Sequence, residues 1–199
     1  MNQSHMAREI AEIPEAARRF LDGSRDAVLA AAAALRDRAP VVVTTVARGS
    51  SDHAATYLKY AIELEQGLPV ASLGPSIASI YGRPLHLAQG ACIGISQSGR
   101  SPDIVEMLRA AGAGGALTVA ISNAPDSPLA QASAHALPLL AGVERSVAAT
   151  KTFVTSILAG LALLGEWRQD AALCQAVADL PDAFAKALDC DWSPLAERL

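Results

Sequence analysis

Cysteine and aromatic side chains are both scarce in this chain, and no apolar run is long enough for a membrane. The three cysteines among 199 residues, Cys92, Cys174 and Cys190, stand far apart and form no CxxC pair. That spacing argues against a disulfide framework and a structural zinc site, and fits a reducing cytoplasm. Aromatics amount to 4%, too few for a stacking platform along single-stranded nucleic acid. Charged residues make up 18% and sum to −4, against about a quarter charged in average globular chains. Nucleic-acid binding calls for a basic face that this balance does not provide. The most apolar stretch, residues 154–164, covers about a dozen positions where a membrane-spanning helix needs about 20. The opening residues show no apolar secretory core. Neither GxGxxG nor GxxxxGK[ST] occurs, so dinucleotide and P-loop sites lack their fingerprints.

What is present is a core. Apolar residues reach 51%, which excludes a disordered chain. Ile10, Ile13, Ala17, Phe20 and Leu21 recur at helical spacing, with Pro14 suited to an early turn. Residues 25–38 are alanine-rich and strongly helical by propensity. Residues 41–47, VVVTTVA, form a continuous β-branched run, the pattern of a strand covered on both faces. Further strands are expected at 69–73, 91–96, 117–122 and 136–140. Helices are expected at 52–66, 102–113, 148–167 and 171–189. Strands alternating with helices imply βαβ units and a parallel sheet. The expected fold is therefore α/β: three αβα layers around a five-stranded parallel sheet, flavodoxin-like. The expected organisation is a helical segment at 1–24, the α/β domain at 25–170, and a C-terminal helix with the start of a linker at 171–199.

In such sheets ligands bind beyond the carboxyl ends of the strands, which directs attention to the turns at 48–51, 96–101, 122–127 and 141–150. Ser96-Gln97-Ser98-Gly99-Arg100-Ser101 lies between a strand and a helix start. It gathers three hydroxyls, an amide and a glycine where unpaired helix N–H groups point outward, a set of donors suited to phosphate. A plain turn with serine as N-cap would look the same in isolation. Gly49-Ser50-Ser51 occupies the equivalent place after the first strand, and Thr150 with Thr152 opens the helix at 148–167.

Three stretches, 41–51 (VVVTTVARGSS), 92–101 (CIGISQSGRS) and 144–153 (ERSVAATKTF), resemble the signature segments of the SIS (sugar isomerase) phosphosugar-binding family. Within it they are most similar to the isomerase half of glutamine–fructose-6-phosphate aminotransferase and to stand-alone sugar-phosphate isomerases and deaminases. The resemblance covers roughly 25–170. It implies that Ser96, Gln97, Ser98 and Ser101 grip the phosphate of a hexose 6-phosphate. Gly49, Ser50, Ser51 and the backbone at Val147 would reach the sugar, and Thr150 would close the phosphate side. It implies no metal and no other cofactor. Arg48 stands where the family often has a small or thiol residue. The sequence shows no glutaminase segment and no second SIS unit carrying a Gly-Glu-x-x-His-Gly-Pro-type stretch. The expected partner is thus a second copy of the chain or a second SIS domain, and residues 148–167, apolar almost all round, offer a surface for that contact.

Aldose–ketose isomerisation passes a proton between adjacent carbons and needs a carboxylate or imidazole near the sugar. Glu144 is the foremost candidate, with an ion pair or loop-fixing hydrogen bond as its alternative reading. His53 lies next to Ser51, His86 and His135 have no partner pattern, and Lys151 could neutralise a phosphate or merely cover an edge. Three readings stay open: an enzyme or half-enzyme acting on a hexose or amino-sugar 6-phosphate, a non-catalytic phosphosugar sensor, and an α/β domain whose serines only cap helices.

Overall fold

The structure is a computed structural model and describes residues 4–198. Helices α1 (His5–Ala11), α2 (Ile13–Gly23) and α3 (Arg25–Arg38) lead into strand β1 (Val42–Val46). Then come α4 (Ser50–Gln66), β2 (Val70–Ser72), α5 (Ser76–Ser79), β3 (Gly90–Ser96) and α6 (Pro102–Ala113). β4 (Leu117–Ser122), α7 (Pro128–Gln131), β5 (His135–Pro138), α8 (Lys151–Arg168), α9 (Ala171–Leu188) and α10 (Ser193–Ala196) complete the order. The sheet runs β2-β1-β3-β4-β5 with every neighbouring pair parallel. This is the three-layer α/β architecture read from the sequence.

The two faces of the sheet are covered by different helices because strand side chains alternate. Val43, Ile93, Ile95, Val119 and Leu137 join a core with α2, α3, α4, α8 and α9. Val46, Cys92 and Ala120 pack on the other side with α6 and α7. All seven residues of β3 are buried, which accounts for its unbroken apolar character, since a strand flanked by sheet and capped by helices has no wet side. Burying one Ile or Leu completely is worth about 1.5–3 kcal/mol, so the central strands carry much of the fold's stability.

Local differences from the sequence reading have local causes. The N-terminal amphipathic segment is two helices broken at Glu12, because Pro14 sits in the first turn of α2 and has no N–H to continue α1. β5 stops at Pro138, and Leu140 then takes a left-handed φ of 53° that turns the chain out of the sheet. α7 follows from Ser127, whose Oγ accepts the Ala130 N–H. The apolar helix expected at 148–167 begins at Lys151, and the surface it was expected to offer a partner is spent within the chain. Twelve of its eighteen residues, Leu158, Leu163 and Trp167 among them, are buried, and α2, α3, α4 and α9 pack around it. An all-round apolar sequence here marks a central helix rather than a contact face. No helix among the described residues is long and apolar enough to cross a membrane.

Candidate functional site

Strand order places the turns after β1 and β3 side by side. The chain leaves β1 towards β2 on one flank and returns to β3 on the other, which creates the crevice where parallel sheets hold ligands. Val46 pairs with Gly94 and Ser96 with Ser122 at this carboxyl edge. Gly49, at φ +58°, precedes α4, and Ser50 and Ser51 occupy the first turn of that helix, half-buried. Their side chains make no hydrogen bond to the other candidate residues among those described.

The turn after β3 is held by its own hydroxyls. Ser96, buried at the end of the strand, accepts the Gly99 N–H on Oγ at 3.2 Å, and the exposed Ser98 accepts the Arg100 N–H at 3.3 Å. Gly99 is required by shape: its φ is +62°, and a Cβ there would lie 2.2 Å from the Ser127 hydroxyl oxygen. Ser101 is the N-cap of α6 but makes no side-chain capping bond, and Pro102 lacks a donor at the first helical position. The amides of the first α6 turn therefore have no side-chain cap and carry the positive end of the helix dipole at this edge of the sheet.

A second group is stitched across the loops after β3, β4 and β5. The Asn123 N–H donates to the Gln97 carbonyl at 3.0 Å. The Asn123 side chain donates to the Gly142 carbonyl at 2.7 Å and accepts the Ala141 N–H at 2.8 Å. The Gln97 amide reaches the Glu144 carboxylate at 3.4 Å. Glu144 in turn accepts the N–H and hydroxyl of Thr150 at 2.9 and 3.0 Å, the N–H of Thr152 at 3.2 Å, and the hydroxyl of Thr152. A carboxylate on the N-terminus of α8 satisfies amides that have no intrahelical partner and complements the dipole. It also explains why the helix starts only at Lys151: the amides of 150 and 152 turn to Glu144 instead of continuing the helix backwards.

The structure thus unites Gln97, Glu144 and Thr150 in one hydrogen-bonded group. It sets Gly49, Ser50, Ser51, Ser96, Ser98 and Ser101 on two neighbouring turns of the same edge. Val147 is fully exposed in the loop before α8. A groove of 940 Å³ opens beside these turns, but Arg48, Ser76, Ser79, Ile80, Asp103 and Glu106 supply its walls rather than the candidate hydroxyls. Arg48 forms an ion pair with Asp103 at 2.9 Å across that groove.

Other candidates stand elsewhere. Lys151 is 2% exposed and pairs with Glu12 of α1–α2, so its charge is committed inside the chain. His53 and His86 are exposed and His135 half-buried. Cys92 is buried in the sheet, and burial pushes its thiol pKa up to about 11, the behaviour of a core residue. No cluster of metal-ligating side chains occurs among the described residues.

The sequence reading missed Glu9 and Glu12. Glu9 accepts the N–H groups of Arg145 and Ser146 and the Ser146 hydroxyl, 136 and 137 positions away. In sequence it reads as one more solvated carboxylate of an amphipathic helix, and no local pattern marks it otherwise.

Comparison with known proteins agrees with this architecture. The SIS domain family matches residues 38–165. Glutamine–fructose-6-phosphate aminotransferase [isomerizing] of Symbiobacterium thermophilum is 32% identical over 205 aligned positions, covering 94% of this chain and 33% of that protein. A solved protein of Silicibacter pomeroyi DSS-3, assigned as a phosphosugar isomerase, is 56% identical with a TM-score of 0.93, covering 96% of this chain and 58% of the other. The C-terminal domain of glucosamine-fructose-6-phosphate aminotransferase from Francisella tularensis superposes with a TM-score of 0.76 at 26% identity, over 92% of this chain and 54% of that one. This chain belongs to the SIS domain family. It spans about a third of that curated relative and just over half of those two solved chains.

Proposed function

We propose that the chain binds a phosphosugar at the carboxyl edge of β1 and β3, as the whole or half of a sugar-phosphate isomerase, aminotransferase or deaminase acting on a hexose or amino-sugar 6-phosphate such as fructose 6-phosphate or glucosamine 6-phosphate. The observation that carries this is the turn at 96–101. It is fixed by Ser96 and by Gly99, whose positive φ and contact with Ser127 disfavour any side chain, and it leaves the Ser101 hydroxyl and the first α6 amides uncommitted to any helix cap. A dianionic phosphate needs several convergent donors on a rigid frame and gains from the helix dipole. Ser96, Gln97, Ser98 and Ser101 would hold the phosphate, with Gly49, Ser50, Ser51 and the backbone of Val147 towards the sugar and Thr150 closing the loop side. Residues 25–170 would carry these turns as the binding domain, with α2 and α9 packed against α8. A second copy of the chain, or a second SIS domain, would complete the pocket in the cytoplasm, docking on a surface other than α8.

A second reading, phosphosugar sensing without turnover, is favoured by one feature. The carboxylate of Glu144 is engaged by Gln97, Thr150 and Thr152, so it serves as a helix cap in this arrangement rather than a base free to move a proton. Incubation with glucosamine 6-phosphate, followed for release of ammonia or appearance of fructose 6-phosphate, separates the two. Calorimetric titration with fructose 6-phosphate tests the binding claim that they share. Ser96→Ala and Ser98→Ala together are expected to weaken affinity at least about tenfold, from lost charge-assisted hydrogen bonds; unchanged affinity would remove the phosphate site.

A further inference from the structure

The loop that carries Glu144, Val147 and Thr150 is fastened from outside the sheet as well as from within it. Glu9 is only 5% exposed, although it belongs to a seven-residue helix at the edge of the molecule. Burying a carboxylate is costly unless donors replace its water. Here the donors come from one place: the N–H of Arg145, the N–H of Ser146 at 3.1 Å, and the Ser146 hydroxyl. Three residues on, Glu12 takes the buried ammonium of Lys151, the first residue of α8. Two carboxylates thus grip segment 145–151 at both ends, while Glu144, immediately before it, faces the other way, towards Gln97 and the helix N-terminus.

The geometry points to Glu9 as a positioning residue for the candidate site, holding the loop at 143–150 in the form that places Glu144 on α8 and Val147 and Thr150 at the sheet edge. This rests on the phosphosugar reading of that edge. Glu9 touches none of the candidate hydroxyls, so its effect passes through the loop backbone. A helix clamped to a binding loop is linked to the ligand: whatever docking of α1 contributes to affinity, ligand returns to docking of α1.

The test uses the full chain as wild type, Glu9→Gln, Ser146→Ala and the double variant, each titrated with fructose 6-phosphate. Amide exchange at Arg145 and Ser146 is followed by NMR. Glu9→Gln keeps the side chain's size but loses its charge and half its acceptor capacity. It is expected to weaken binding about 5- to 30-fold, the range of one or two lost hydrogen bonds, and to speed exchange at both amides. Saturating ligand is expected to slow that exchange in the wild type. Because both residues act through one contact, the double variant is expected to bind no worse than Glu9→Gln alone. Additive losses of affinity would show that the two residues do not act through one contact and would overturn the positioning role. Wild-type affinity together with wild-type exchange in Glu9→Gln would overturn it as well. If the wild type binds no phosphosugar, the functional reading falls and takes Glu9's role towards a ligand with it. Exchange in Glu9→Gln separates that failure from a failure of the clamp itself.

Discussion

The carboxylate of Glu144 receives both the backbone N–H and the side-chain hydroxyl of Thr150, at 2.9 and 3.0 Å. One acidic side chain therefore ends the ligand-side loop and starts the central helix. Two residues that the sequence offered as a proton mover and a phosphate contact are, in this arrangement, each other's partners.

That pairing gives a first expectation. Glu144→Ala removes the cap on α8 and leaves the Thr150 and Thr152 amides and hydroxyls without their acceptor. Loss of an N-terminal cap costs about 0.5–2 kcal/mol, and the added loss of charge at the dipole falls in the same range. Urea unfolding monitored by the two tryptophans should show a lowered midpoint with the slope unchanged. An unaltered midpoint would show that the helix does not depend on this contact.

Gly99 supports a second. A methyl group there meets the Ser127 side chain and demands a left-handed φ of an alanine. Gly99→Ala is expected to lower stability by about 1–2 kcal/mol and to abolish fructose 6-phosphate binding, since the turn cannot keep its shape. Ser127→Gly in the same chain would clear the clash but is not expected to restore stability, because the Ser127 hydroxyl also caps α7 and bonds Ser122. Full binding by Gly99→Ala would show that the turn's geometry is immaterial to the ligand.

The pH dependence of the α1 contact follows from Glu9. Its hydrogen bond from Ser146, then the amide of Arg145, hold its carboxyl below the usual value of 4.5. A carboxylate depressed on folding contributes stability that is complete above its unfolded pKa and is lost as pH falls through the lower folded value. Glu9→Gln should therefore be less stable than wild type at pH 7. The gap should be constant down to about 4.5, the unfolded value, and close below it. A gap that widens on acidification would contradict the assignment.

The fold was legible because its signals are local. β-branched runs at 41–47 and 117–122, Pro102 at a helix start and the alanine-rich stretch at 25–38 each state their element without reference to anything distant. Boundaries slipped where a remote partner decided them: α8 begins at Lys151 because Glu144 takes its amides, and β5 ends early because Leu140 turns left-handed. The hydroxyl turns were legible because a parallel sheet puts the turns at the carboxyl ends of its strands on one edge; that 48–51 and 96–101 are neighbours there follows from the strand order of the structure. Glu9 and Glu12 were not, since the burial of Glu9 and the pairing of Glu12 with Lys151 depend on contacts more than 130 residues away. The role of the 148–167 segment was misjudged because apolarity on every side does not say whether the cover comes from the same chain.

The central claim is that the turn at 96–101 receives an oxyanion carried by a sugar. An NMR titration of the labelled full chain with glucosamine 6-phosphate, against glucosamine as the unphosphorylated control, tests it residue by residue. The account predicts saturable shifts concentrated at the amides of Gln97 to Ser101 and Asp103 to Ile104, with smaller ones at Ser50, Ser51 and Val147, and none of comparable size from glucosamine. Shifts confined to another face of the molecule, or no difference between the phosphorylated and unphosphorylated sugar, would contradict it.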